Sequence, residues 1–146
     1  MTSNGKERSG QSYKISETQA MRYCEDLLSV DEQIVAVAIV DPAGELLGLD
    51  WKRERVPWEG QSFEQRKEFE SIQGKLGAWV KIILSLSEET APLIGRLERA
   101  IFVHKKFQLI LLGSPSKGCN VGCMVARSTD VGYIARKVAE ILGEPL

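Results

Sequence analysis

Residues 34–51 read IVAVAIVDPAGELLGLDW, and this stretch decides the fold. Ile34 to Val40 is apolar at every position and rich in β-branched side chains, the mark of a strand buried on both faces. Asp41-Pro42-Ala43-Gly44 follows with the chemistry of a type I turn. Proline presets the backbone at the second position, and glycine stands where a positive φ is needed. Glu45 to Trp51 then returns as a second strand, so the stretch predicts a β-hairpin.

Downstream, Leu97 to His104 predicts a third strand, with Lys105 and Lys106 at a tight connection. Phe107 to Gly113 (FQLILLG) is again apolar on both faces. Ser114 to Gly118 is rich in turn formers, and Asn120 to Arg127 predicts a fifth strand. Thr129 or Asp130 can cap a closing helix to Leu142, with Val131, Ile134, Val138 and Ile141 on one side. Gly143 and Pro145 stop it.

Upstream, Ser16 with Gln19 three residues on fits a capping box. Met21, Cys24, Leu27 and Leu28 recur at helical spacing, which predicts an amphipathic helix over 16–29. Residues 1–14 (MTSNGKERSGQSYK) are polar and predict a flexible tail, leaving 15–146 as the domain. Residues 52–61 lack periodicity and predict a loop. Ser62 can cap a long helix to about Leu86, with a core stripe of Phe69, Ile72, Leu76, Trp79 or Val80, and Ile83. Pro92 is expected to prevent its continuation. The order is α-β-β-α-β-β-β-α. Strands joined by short turns are antiparallel neighbours, and IVAVAIV and LILL need cover on both sides. The expected fold is therefore α+β, a three-layer α/β/α sandwich around a five-stranded antiparallel sheet. The long helix would cover one face and the two terminal helices the other.

Nineteen basic against twenty acidic residues leave a net charge of −1. That balance offers no general attraction to nucleic acid or anionic lipid, though it leaves room for a local basic patch. No apolar run approaches the roughly 20 residues of a membrane span, and the polar first ten residues lead to the expectation of no secretory signal. Three cysteines with no framework spacing point to a reducing compartment, hence a cytoplasmic protein.

With these elements in order, the chain resembles the Roadblock / dynein light chain family, whose fold is close to profilin and longin domains. The matching pieces are DLLSVDEQIV ending the first helix, the hairpin VAVAIVDPAGELLG, the long helix, GRLERAIFVHKKFQLILLG, and CMVARSTDVGYIARKVAEIL. Together they span about residues 16–142. The polar tail and the 52–61 loop, with Pro57 and Trp58, are longer than the compact family pattern. The resemblance implies homodimers or heterodimers in which long helices pack together and two five-stranded sheets join. It also implies a platform for small Ras-like GTPases or a subunit of motor and signalling assemblies.

Three groups of residues are candidates for such contacts. On the long helix, Gly74, Gly77 and Ala78 fall in one stretch, and Gly74, Ala78 and Lys81 follow a line away from part of the core stripe. A mid-helix glycine costs about 0.5–1 kcal/mol relative to alanine, a cost most easily tolerated where two backbones approach closely. The other reading is packing on the protein's own sheet, helped by Ala36 and Ala38. The strand carrying Leu97, Arg99, Ile101 and Val103 would be a sheet edge in a monomer, and an unprotected edge is a template for pairing with a second copy. Arg96, Glu98 and Arg99 could instead guard it. In the loop, Lys52, Arg53 and Arg55 lie beside Trp51 and Trp58, and arginine and aromatic residues are common interface anchors. The alternative there is a solvated loop with one tryptophan folded over the core rim.

Catalytic chemistry has little to stand on. There is no HExxH, GxSxG or GxGxxG, and one histidine cannot supply a base and its orienting partner beside a marked nucleophile. Cys119 and Cys123, with His104, form no metal site if the strand is extended, since four residues then span roughly 13 Å. Gly113-Ser-Pro-Ser-Lys-Gly118 opens like a phosphate loop, but Cys119-Asn120 and a strand follow where a Ser or Thr and a helix are required. The sequence therefore predicts a non-catalytic module without metal or cofactor, and the resemblance implies that it binds proteins, pairs with itself and serves as a scaffold or regulator of a small Ras-like GTPase. The alternative is a small-molecule sensor of PAS or GAF type, which would enclose a cavity of a few hundred cubic ångströms beneath the sheet.

Overall fold

A computed structural model describes residues 15–52 and 63–145; for residues 63–77 and Trp79 it describes the backbone alone. The elements are α1 (Glu17–Val30), β1 (Ile34–Val40), β2 (Leu46–Trp51), α2 (Phe63–Ile94), β3 (Arg99–Val103), β4 (Phe107–Ser114), β5 (Cys119–Ala126) and α3 (Val131–Leu142). All strand pairs are antiparallel, in the order β2-β1-β5-β4-β3. The expected α+β architecture and element order are found. The expected loop at 53–62, the cap at Ser62 and the tail at 1–14 lie outside the described residues.

Local signals place the ends of the elements. Ser16 Oγ accepts from the Gln19 amide at 3.1 Å while Gln19 Oε1 accepts from the Ser16 amide at 2.9 Å, closing the capping box at the start of α1. Asp130 caps α3 through the amides of Gly132 and Tyr133, and Gly143, at φ 72°, ends it in the left-handed region. At the hairpin tip Asp41 Oδ1 accepts from the amides of Ala43 and Glu45, both at 2.9 Å. Gly44 takes φ +88° there.

The register assigns the faces. Val37 and Ile39 oppose Cys123 and Val121, which oppose Ile110 and Leu112 in turn. On this face α1 and α3 seal the core through Ala20, Cys24, Leu27, Ile134, Val138 and Leu142. Ala20 approaches closely because Gly48 on β2 has no Cβ; one added there would meet the Ala20 backbone at 3.2 Å. Lys137 of α3 donates to Asp31 Oδ2 at 3.1 Å and locks the two terminal helices together. The second face carries Val40 and Leu111, both buried, with half-buried Ala36, Ala38, Leu109 and Met124. The long helix forms the third layer on that side. Its described ties are in its C-terminal half, where Lys81 reaches Glu45 and Ser87 Oγ accepts from the Leu97 amide at 3.3 Å.

One boundary differs from expectation. The long helix does not stop near Leu86 but runs to Ile94, with Pro92 inside it. A proline lacks the N–H that would bond the carbonyl four residues back, here Glu88, and its ring crowds that same carbonyl. The following turn is intact, and the Gly95 amide still donates to the Ala91 carbonyl at 2.8 Å. Gly95, at φ +88°, is the residue that ends the helix.

Candidate functional site

β3 lies at one border of the sheet and pairs with β4 alone. Its outward row of backbone groups therefore has no strand beside it among the described residues. Arg99, Ile101 and Val103 alternate along it and are all exposed, Ile101 at 42% and Val103 at 57%. Register puts them opposite Leu112, Ile110 and Gln108, on the face of the terminal helices. Ala100 and Phe102, both half-buried, face the other way. Leu97 precedes the strand and is half-buried, fixed by its bond to Ser87.

On the long helix the structure adds residues that the sequence reading passed over. Ile82 and Leu86 are each 57% exposed and Leu93 is 88% exposed. With exposed Ala78 they recur at intervals of four, four and seven residues, a single stripe on a helix of 3.6 residues per turn. Val80, Ile83, Leu84 and Ser87, on the opposite side, are half-buried. The signal was present in the sequence as a second apolar row, offset from the expected core stripe. Ending the helix at Leu86 hid it, because Leu93 was then outside any helix.

The predicted residues divide accordingly. Ala78 and Lys81 are exposed on the long helix, and Lys81 Nζ is committed to Glu45 Oε1 at 2.9 Å rather than free for a partner. Gly74 and Gly77 are helical, with surroundings outside the description. The edge residues and the helix residues occupy opposite sides of the sheet, so only the backbone rim of β3 is common to both. Arg53, Arg55 and Trp58 lie outside the described residues.

A groove of about 920 Å³ opens at the hairpin-tip end of the sheet. Leu84, Ser87 and Glu88 of the long helix form one wall, the 96–98 connection another, and the β4–β5 turn with the C-terminal segment the third. Glu144 braces this turn: its Oε2 accepts from Ser114 Oγ at 2.7 Å, from the Ser116 amide at 3.0 Å, and from Ser116 Oγ. Burial pushes the Glu144 carboxyl up, but those hydrogen bonds outweigh it and hold it below the ordinary range. The groove is open to solvent, not enclosed beneath the sheet. Among the described residues no three of His, Cys, Asp or Glu are placed to share a metal ion, and no helix is long and apolar enough to cross a membrane.

No protein-family model matches the chain, and no curated protein matches it either. Solved structures do. MglB of Myxococcus xanthus superposes with a TM-score of 0.63 at 13% identity, over 87% of this chain and 84% of that one. A Roadblock/LC7 domain from Streptomyces avermitilis gives 0.60 at 10% identity, over 83% and 89%. The gliding protein MglB of Thermus thermophilus gives 0.54 at 10% identity, over 86% and 87%. This chain has the Roadblock/LC7 fold, as its resemblance to that family implies.

Proposed function

We propose that the chain is a non-catalytic protein-binding module that works as a homodimer, as a scaffold or regulator of a small Ras-like GTPase in the cytoplasm. The observation that carries this reading is the pairing of an open strand edge with the apolar stripe Ala78, Ile82, Leu86 and Leu93. Fully burying one such leucine or isoleucine is worth about 1.5–3 kcal/mol, less for a side chain already partly covered. Three of them from each copy roughly offset the estimated 4–15 kcal/mol that association costs. The stripe alone is therefore marginal, and backbone pairing along β3 supplies the remainder. The groove at the sheet end is open, unlike the enclosed cavity that a small-molecule sensor uses.

Sedimentation at tens of micromolar tests the pairing. A dimer is expected for the natural chain and a folded monomer for a chain carrying Ile82→Glu and Leu86→Glu. A monomer in both would overturn it. For the GTPase, recovery from the native cell followed by mass spectrometry should yield a small GTP-binding protein that is lost on Arg55→Ala and Trp58→Ala. A bound metabolite and no protein partner would favour the sensor.

A further inference from the structure

The open groove at the hairpin-tip end is charged as well as apolar, and its charge matches a segment of this same chain. Its walls carry Glu88, Glu98 and Glu144 against Arg96, three negative charges and one positive, over a floor that includes Leu112 and Leu142. Lys117 stands on the neighbouring turn but not in the wall. Residues 1–14 carry Lys6, Arg8 and Lys14 against Glu7, three positive charges and one negative. That segment is too polar to build a core, so any ordered place for it must come from a surface that complements it.

The point of attachment is favourable. Ile15 packs against the core at the start of α1. Ala20, one turn on, lies over Gly48 near the beginning of β2. The chain therefore reaches the domain at the hairpin-tip end, where Pro42 of that hairpin is itself part of the groove wall. Fourteen residues span at most roughly 50 Å when extended, ample to run the groove from Pro42 to Glu98. We propose that residues 1–14 of the same chain lie in this groove, their basic side chains set against Glu88, Glu98 and Glu144, so that the groove carries an internal ligand that a more basic partner segment must displace. This holds whether or not the domain dimerises.

The three native cysteines are buried, so a nitroxide can be placed on the full chain at position 9 through Ser9→Cys alone. The amide signals of Leu97, Glu98, Ser116 and Lys117 are expected to lose intensity, while those of His104 to Lys106, at the far end of the sheet, keep theirs. Intensity should return at about 1 M salt, where the screening length is about 3 Å. It should also return at low salt in a chain carrying Glu88→Lys and Glu98→Lys, whose amide spectrum reports its own folding. Full intensity throughout, or equal loss at both ends of the sheet, overturns the proposal. So does loss of similar size when a spin-labelled chain is mixed with a separate isotope-labelled one, because the occupant is then a second copy's tail.

Discussion

Lys81, on the long helix, lies so close over Gly44, at the hairpin tip, that a Cβ on Gly44 would stand 2.2 Å from its Cγ and 3.3 Å from its Cα. The contact joins two elements that share few other described ties, and it is reinforced by the 2.9 Å ion pair to Glu45. That pair is half exposed, so its own contribution is small. Glycine is required here twice, by φ +88° and by the approach of the helix. Gly44→Ala should destabilise the fold by about 1–3 kcal/mol, read from denaturant midpoints. Asparagine tolerates the left-handed region, so Gly44→Asn separates the causes. If the helix contact matters, asparagine should cost nearly as much as alanine; a near-silent Gly44→Asn would assign the whole effect to φ.

Gln108 is the buried polar residue that ties the other end of the sheet together. Its Nε2 donates to the Arg127 carbonyl at 2.8 Å and the Thr129 carbonyl at 3.1 Å, and Thr129 Oγ1 donates to Gln33 Oε1 at 2.6 Å. Gln108→Leu strands two carbonyls and should cost about 1–3 kcal/mol, whereas Thr129→Val strands only an exposed amide oxygen that water can serve and should cost less. Equal costs in equilibrium unfolding would contradict this order.

Burial pushes the thiols of Cys24 and Cys123 up to about 12 and that of Cys119 to about 11, against an ordinary 9.0. Their raised values mean that the folded chain keeps these protons after the unfolded chain has lost them. Stability from this source is complete below pH 9 and drains away between pH 9 and about 11–12. A chain with all three cysteines replaced by alanine should show a shallower alkaline decline in melting temperature. The native thiols should also react with a thiol reagent at neutral pH only at the rate of unfolding.

Asp31 behaves in the opposite sense. The Gln33 amide, donating at 2.9 Å, and then Lys137 hold its carboxyl below the ordinary 3.8. The stability this supplies is present above about pH 4 and is lost as the pH falls through the lowered value. Asp31→Asn should flatten the acid limb of a stability–pH curve.

Much of the fold was legible because its signals are local. Ser16 and Gln19, Asp41 to Gly44, and Asp130 with Gly143 each mark a boundary through atoms a few residues apart, and each stands where expected. The pairings of β1 with β2, β3 with β4 and β4 with β5 followed from short connections, whereas the β1–β5 pairing that sets the sheet order joins distant parts of the chain and had no local signal. The long helix was harder. Pro92 carries a strong local signal for termination, yet the bonding of the next turn outweighs it. Exposed Ile82, Leu86 and Leu93 were masked by a core stripe of similar apolarity, since spacing alone does not say which row faces the sheet. The edge strand was readable as an edge, but the side to which Ile101 and Val103 point depends on register against β4, a nonlocal fact.

The central place of β5 in the sheet has a consequence for a chain emerging from a ribosome. β1, apolar throughout, must wait for a partner encoded near the other end of the sequence, and Ile34 meets Val125 only once that segment is made. Until then the nascent protein holds a two-stranded ribbon of marginal stability with a sticky flank bare to its surroundings. Closing so distant a pair is slow, which makes the interval between synthesis of the two strands the period when this protein most needs a chaperone.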